Sequence, residues 1–226
     1  MKLTRSEADM VSNILGTWDV ATPVQREAGA RWYAEAGILA ALIADATGIP
    51  KARVVHAIAA LSPRNPWRWN VFDAYAFCVA RAEGRTMPSA STFGRNRDAA
   101  WRALDPAIDD PWLTSALKVR AFVAAIMGDD VAVVVDAWAA RVATGQTSNG
   151  KGFSISDRQY VAIAHAYVTA ANLRNVPPVT MQATTWLVAQ SSGLASSRTS
   201  RHDLSYKAGT PVWLRDALGG TKPDLT

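Results

Sequence analysis

Lys118, Asp136 and Arg141 are the residues whose types and spacing first suggest chemistry. Eighteen positions separate Lys118 from Asp136, and Arg141 follows five further on. All three lie in residues 113–145, LTSALKVRAFVAAIMGDDVAVVVDAWAARVATG, which reads as helix, short turn, apolar run, acidic residue, helix. The apolar run VAVVV (131–135) ends abruptly at Asp136. A carboxylate there can cap the next helix by accepting from free amides of its first turn, and the helix dipole keeps it ionised. It can equally be a reagent. Opening an N-glycosidic bond makes a sugar with cation character, and a nearby carboxylate stabilises that charge and activates a water or an amine on the sugar face. The plain cap is the structural alternative, worth about 1 kcal/mol. Lys118 is either a Schiff-base nucleophile or a lysine that touches phosphate or water. Arg141 is not on the same face of an ideal helix as Asp136. That favours a salt bridge or a phosphate contact over chemistry.

Composition bounds the partners. A chain of 226 residues permits one large domain or two small lobes, and 49% hydrophobic residues makes it globular. Lys and Arg exceed Asp and Glu by 24 − 19 = 5, and the pI is about 9.6. That balance suits a polyanion. The single cysteine, Cys78, excludes an internal disulfide, a four-cysteine zinc site and a cysteine-ligated iron–sulfur cluster within this chain; its apolar helical setting reads as buried filler. His56, His165 and His202 lack ligand spacing among themselves, so no metal and no cofactor is expected. His56 and His165 read as core or groove residues. The N-terminus MKLTRSEADM lacks the apolar centre of a signal peptide. No run approaches the ~18 apolar residues of a membrane helix. The expectation is a cytoplasmic, soluble monomer with no membrane partner.

The elements that must hold these residues are helical. Thr4 and Glu7 have capping-box spacing ahead of a face formed by Leu3, Met10, Val11, Ile14 and Leu15. Helical periodicity covers 23–46, 51–61, 67–81 and 91–104, the last with a basic face from Arg95 to Arg102. Ser154 and Asp157 mark a helix that runs to about Leu173, and 180–190 is the last strong helix. VAVVV is the one strand-like stretch, short and alone. The fold class is therefore all-α, with roughly eight or nine helices. Residues 1–190 form the helical domain, in two lobes with a cleft between them; 191–226 form a polar, basic tail, with Trp213 and Leu214 as docking residues and an ArgThrSerArgHis segment as a source of phosphate contacts.

Two segments carry a family resemblance. Residues 113–145, with Lys118 eighteen residues before Asp136, Val134-Val135 ahead of it and Arg141-Val142 behind, resemble the helix-hairpin-helix DNA glycosylase superfamily that includes endonuclease III. AIAALSPRNPWRWN (57–70) is similar to the family's helix, loop and helix that fills the gap left by an extruded base. The resemblance covers about 51–145. The residues at the hairpin are Leu113-Thr114-Ser115-Ala116-Leu117, without glycine, so a phosphate grip would come from the Thr114 and Ser115 hydroxyls and the helix start at Lys118. The likeness is nearest to compact, phage-associated members.

What the resemblance implies is a two-lobed helical glycosylase-like fold acting on DNA, a duplex with one nucleotide extruded. Asp136 and Lys118 are the implied catalytic residues. Arg64, Asn65, Trp67, Arg68, Thr114, Ser115, Arg120 and Arg141 are the implied DNA contacts. Arg64 and Asn65, at a proline-bracketed tip, would be the wedge or readers of the estranged base, since chemistry on a stacked base requires extrusion. An ordinary helical hairpin with solvated Arg64 and Arg68 is the alternative, and one of Trp67 and Trp69 is expected in the core. Gln182 and Trp186, four apart on one helix, would line a base pocket or pack in the core. Three functions remain open. One is base excision at a damaged or modified base, with strand cleavage if Lys118 acts. Another is a transferase that hypermodifies an activated thymine in phage DNA. The third is a DNA-binding module without catalysis.

Overall fold

The computed structural model describes residues 6–90, 92–108, 116–146, 155–191 and 211–219. Among them are ten α-helices and no strand, so the chain is all-α. It divides into two compact units, and the boundary passes between Tyr33 and Ala34.

Unit 1 holds α1 (Glu7–Asp19), the first turns of α2 (Pro23–Thr47), α7 (Ala137–Thr144), α8 (Asp157–Arg174) and α9 (Pro178–Ser191). α1 packs on α7, α8 and α9, which also pack on one another. The capping box of α1 is built by Ser6 and Asp9: the Ser6 hydroxyl accepts from the Asp9 amide and the Asp9 carboxylate accepts from the Ser6 amide. The predicted partner Glu7 instead binds His165 of α8, 2.7 Å away. Both spacings fit a box, and burial of Met10, Val11, Ile14 and Trp18 goes with the later start. His165 is thus a surface residue rather than a core or groove one. Ser156 and Gln159 form a second reciprocal box at the start of α8. α7 ends at Gly145, whose φ of +64° is the left-handed conformation that glycine adopts without strain. Asn13 of α1 closes that end by donating to the Ala143 carbonyl at 2.9 Å.

Unit 2 holds the rest of α2, α3 (Lys51–Leu61), α4 (Trp67–Ala82), α5 (Gly94–Ala103), α6 (Leu117–Ile126) and α10 (Val212–Gly219). α3 is central and packs on α4, α5 and α6; eight consecutive residues, Val54 to Leu61, are buried. Cys78 is fully enclosed, and burial pushes its thiol up to about 12. The Arg53 guanidinium donates to the carbonyls of Ala103, Asp105 and Ile108 at 2.8–3.0 Å, fixing the turn after α5. α10 lies where the sequence suggested only a tail. Its Leu214 and Leu218 are fully buried one turn apart, and Trp213 meets Tyr75 edge-on at 5.8 Å. A helix of eight residues has little stability of its own, so its signal depends on packing.

No described helix is long and apolar enough to cross a membrane.

Candidate active site

Asp136 caps α7. Its backbone is extended, with φ −93° and ψ −173°, and its Oδ1 accepts from the amides of Trp138 and Ala139 at 2.9 and 2.8 Å. The residues before it, Val133 to Val135, are buried at 3–6% exposure. Among the described residues no strand pairs with them, and the Asp136 amide turns back to donate to the Val134 carbonyl at 3.1 Å, a γ-turn centred on Val135. One side chain replaces the missing ladder: the Tyr160 hydroxyl donates to the Val133 carbonyl at 2.9 Å and accepts from the Val135 amide at 3.2 Å. This settles the strand-like look of VAVVV. The run needs no partner strand at these two groups because a phenol from α8 satisfies them. Asp136 itself is half-buried.

Three tyrosines share this environment. Burial first, then the Asp136 carboxylate, holds the Tyr33 phenol well above the ordinary tyrosine range. Burial raises Tyr160 to about 12, with a further push from Asp136 against the bond from Val135. Tyr167 is raised by burial and by Asp136, with Thr185 opposing. All three therefore remain neutral phenols, with hydrogens to donate to the partners that hold them. Tyr33 donates to Gln182 Oε1 at 2.6 Å, and the Tyr167 hydroxyl lies 3.3 Å from both the Ala139 carbonyl and Thr185 Oγ1. Nothing in the sequence marked these tyrosines as functional. Tyr160 and Tyr167, seven apart, read only as a buried helix face.

Gln182 is buried and tied to Tyr33, while Trp186 is half-buried with its ring edge-on to Trp32 at 5.7 Å. The two flank the same stretch of α2, which comes very close to α9 at Gly29. A Cβ on Gly29 would lie 2.1 Å from Thr184 Oγ1 and 2.8 Å from its Cα. Arg141, on α7, places its guanidinium 5.1 Å from the Trp138 ring centre.

The remaining sequence candidates belong to unit 2. Arg64 is the exposed tip of the loop between α3 and α4, with the left-handed φ of +57° that is costly for a side-chain-bearing residue. Its neighbour Asn65 is not a tip residue. It is buried, and its amide donates to the fully buried Asp73 of α4 at 3.0 Å, so it braces the loop from inside, and of the two only Arg64 faces out. Arg68 donates to the Leu218 carbonyl of α10 at 2.9 Å. Trp67 and Trp69 are both half-buried, so neither is the fully enclosed core indole the sequence suggested. Arg120 is exposed on α6. Thr114 and Ser115 lie outside the described residues, as do His202 and the basic tail segment around it.

Lys118 belongs to unit 2 and Asp136 to unit 1. Lys118 lines a cavity of about 460 Å³ with His56, Arg95, Asn96 and Arg102 among its walls. The basic face of α5 and Lys118 are thereby brought together, a convergence that sequence order did not reveal. His56 is buried with Nδ1 2.7 Å from the Ala52 carbonyl; since a carbonyl only accepts, Nδ1 carries the hydrogen. Among the described residues no group of three His, Cys, Asp or Glu side chains is placed to hold a metal ion.

These features define an all-α protein with a helix-capping carboxylate whose charge acts on three buried phenols in one unit and a cation-lined cavity in the other. The chain belongs to DUF7178, a family of unknown function, whose model matches residues 1–193. No curated protein and no solved structure matches it.

Proposed function

We propose that the protein processes a base in DNA, in the manner of the helix-hairpin-helix glycosylases, with Asp136 as the catalytic carboxylate. The observation that carries the proposal is the setting of Asp136: a carboxylate at the end of a buried valine run, held by two amides of α7, in a unit whose three buried phenols feel its charge. Two amide donors at a helix N-terminus complement negative charge on this carboxylate. The burial of the neighbouring tyrosines lowers the local dielectric, which strengthens the effect of that charge on a developing sugar cation. As the bond from C1′ to the base lengthens, its electron pair leaves with the base. Asp136 stabilises the cationic sugar until water adds at C1′, and the proton that the water gives up ends on the departed base. The net positive charge supplies general attraction to the backbone.

The test uses Asp136→Asn, because asparagine caps a helix as well as aspartate and the substitution removes the charge alone. Duplexes carrying damaged or modified bases are incubated with each protein, and nucleosides and free bases are identified by mass spectrometry. On a substrate that the wild type processes, the variant is expected to be slower by about two to four orders of magnitude. Equal turnover by both proteins refutes the role of Asp136. A heavier nucleoside in place of a free base assigns transfer rather than excision. Salt-sensitive binding without any product on any substrate leaves a binding module.

A further inference from the structure

We propose that the cavity of unit 2 is a binding site for a phosphate group carried on a small organic body. Three helices and the loop after α3 build it. From α3 come His56 and Ala60, one turn apart, followed by Pro63. From α5 come Arg95, Asn96, Ala99, Arg102 and Ala103, which form a single stripe at helical spacing. From α6 come Lys118 and Val119, preceded by Ala116. Ile108 closes one side, on the turn that Arg53 holds by its three carbonyls.

The charge pattern selects the ligand. Two guanidiniums and an ammonium converge on one cavity, and no carboxylate is among its described lining residues. Other arginines of unit 2 are committed to the fold: Arg53 and Arg68 to backbone carbonyls, and Arg81 to the Trp101 carbonyl and ring. Arg95 and Arg102 are exposed on α5. Guanidinium forks match the tetrahedral oxygens of phosphate. Asn96 and His56 add polar groups to the same wall. At about 460 Å³ the space exceeds what a bare ion needs, and Ala60, Pro63, Ala99, Ala103, Ile108 and Val119 provide an apolar wall for the body attached to the phosphate. Arg64 and Arg95 both lie against the exposed Phe93 ring, at 5.3 and 5.7 Å, so the cationic surface continues from the cavity mouth to the loop tip. The phosphate can come from a free nucleotide or from a nucleic-acid backbone. The site does not depend on the role given to Asp136.

The experiment is calorimetric titration of the full chain with three probes: inorganic phosphate, thymidine 5′-monophosphate and a short single-stranded oligonucleotide. Arg95→Ala and Arg102→Ala are each expected to weaken binding about tenfold, and the double variant more. Both side chains are exposed, and circular dichroism verifies that the helices persist. Arg31→Ala is the control, since Arg31 is an exposed arginine of α2 in unit 1, paired with Glu27. Binding of the mononucleotide with this dependence identifies a free phosphorylated ligand. Binding of the oligonucleotide alone, with the same dependence, identifies a backbone phosphate. A second measurement needs no variant: the His56 ring resonances should shift on adding the probe that binds. The proposal is overturned if no probe binds, if the double variant binds as wild type does, if Arg31→Ala loses as much as the cavity variants, or if His56 does not respond.

Discussion

Replacing Tyr160 by phenylalanine removes one oxygen and tests how Asp136 is positioned. That oxygen is the partner of two buried backbone groups, the Val133 carbonyl at 2.9 Å and the Val135 amide at 3.2 Å. Val133 and Val135 are 5% and 3% exposed, so water does not readily replace the phenol. Leaving a buried donor or acceptor unmade costs about 1–3 kcal/mol per group, and two are stranded, so a loss of about 3 kcal/mol is expected. For a chain of this length that lowers the melting temperature by roughly 6–12 °C. Thermal unfolding by circular dichroism measures it. Tyr75→Phe is the control, because its half-exposed ring keeps its contact with Trp213 and the change should stay within about 0.5 kcal/mol. The two peptides stranded by the substitution, 133–134 and 134–135, lead directly to Asp136, so on the proposed function base processing should fall together with stability. A Tyr160→Phe protein as stable as the Tyr75→Phe control would refute the argument that a side chain substitutes here for a neighbouring strand.

Two further predictions concern the same unit. Gly29→Ala should destabilise by about 1–3 kcal/mol, because the new methyl meets the Thr184 backbone at 2.8 Å as well as its hydroxyl and α2 must shift away from α9; a denaturant midpoint equal to wild type would mean that the two helices are not so close. Alkaline titration should show Tyr33, Tyr160 and Tyr167 retaining their protons beyond the ordinary value of 10. The stability contributed by the neutral phenols is fully present below pH 10 and is lost as pH rises toward 12, the value for Tyr160, because the unfolded chain releases protons that the folded chain holds. Tyrosinate absorbance that rises with an ordinary midpoint, before any loss of helix, would contradict this.

The helical class was legible in the sequence because a 3.6-residue period is a local property of the chain. Met10, Val11 and Ile14, or Tyr160, Ile163 and Tyr167, declare a buried face whatever they pack against. Asp136 as an N-cap was legible for the same reason, since a cap bonds only to amides two and three residues away. Other features depended on partners distant in the chain. Asn65 looked like a tip residue until Asp73 was found to hold its amide. VAVVV looked like a strand because its residue types suit extended backbone, and the phenol that completes it comes from position 160. The helix at Val212–Gly219 had too few residues to signal itself, and its leucines acquire their meaning from burial. The gathering of Lys118 with Arg95 and Arg102 had no local signature, because charges on separate helices become a site only when packing sets their distance. Periodicity and capping act over a few residues and can be read along the chain. Burial, dielectric and convergence of charge arise between segments and exist only once the chain has folded.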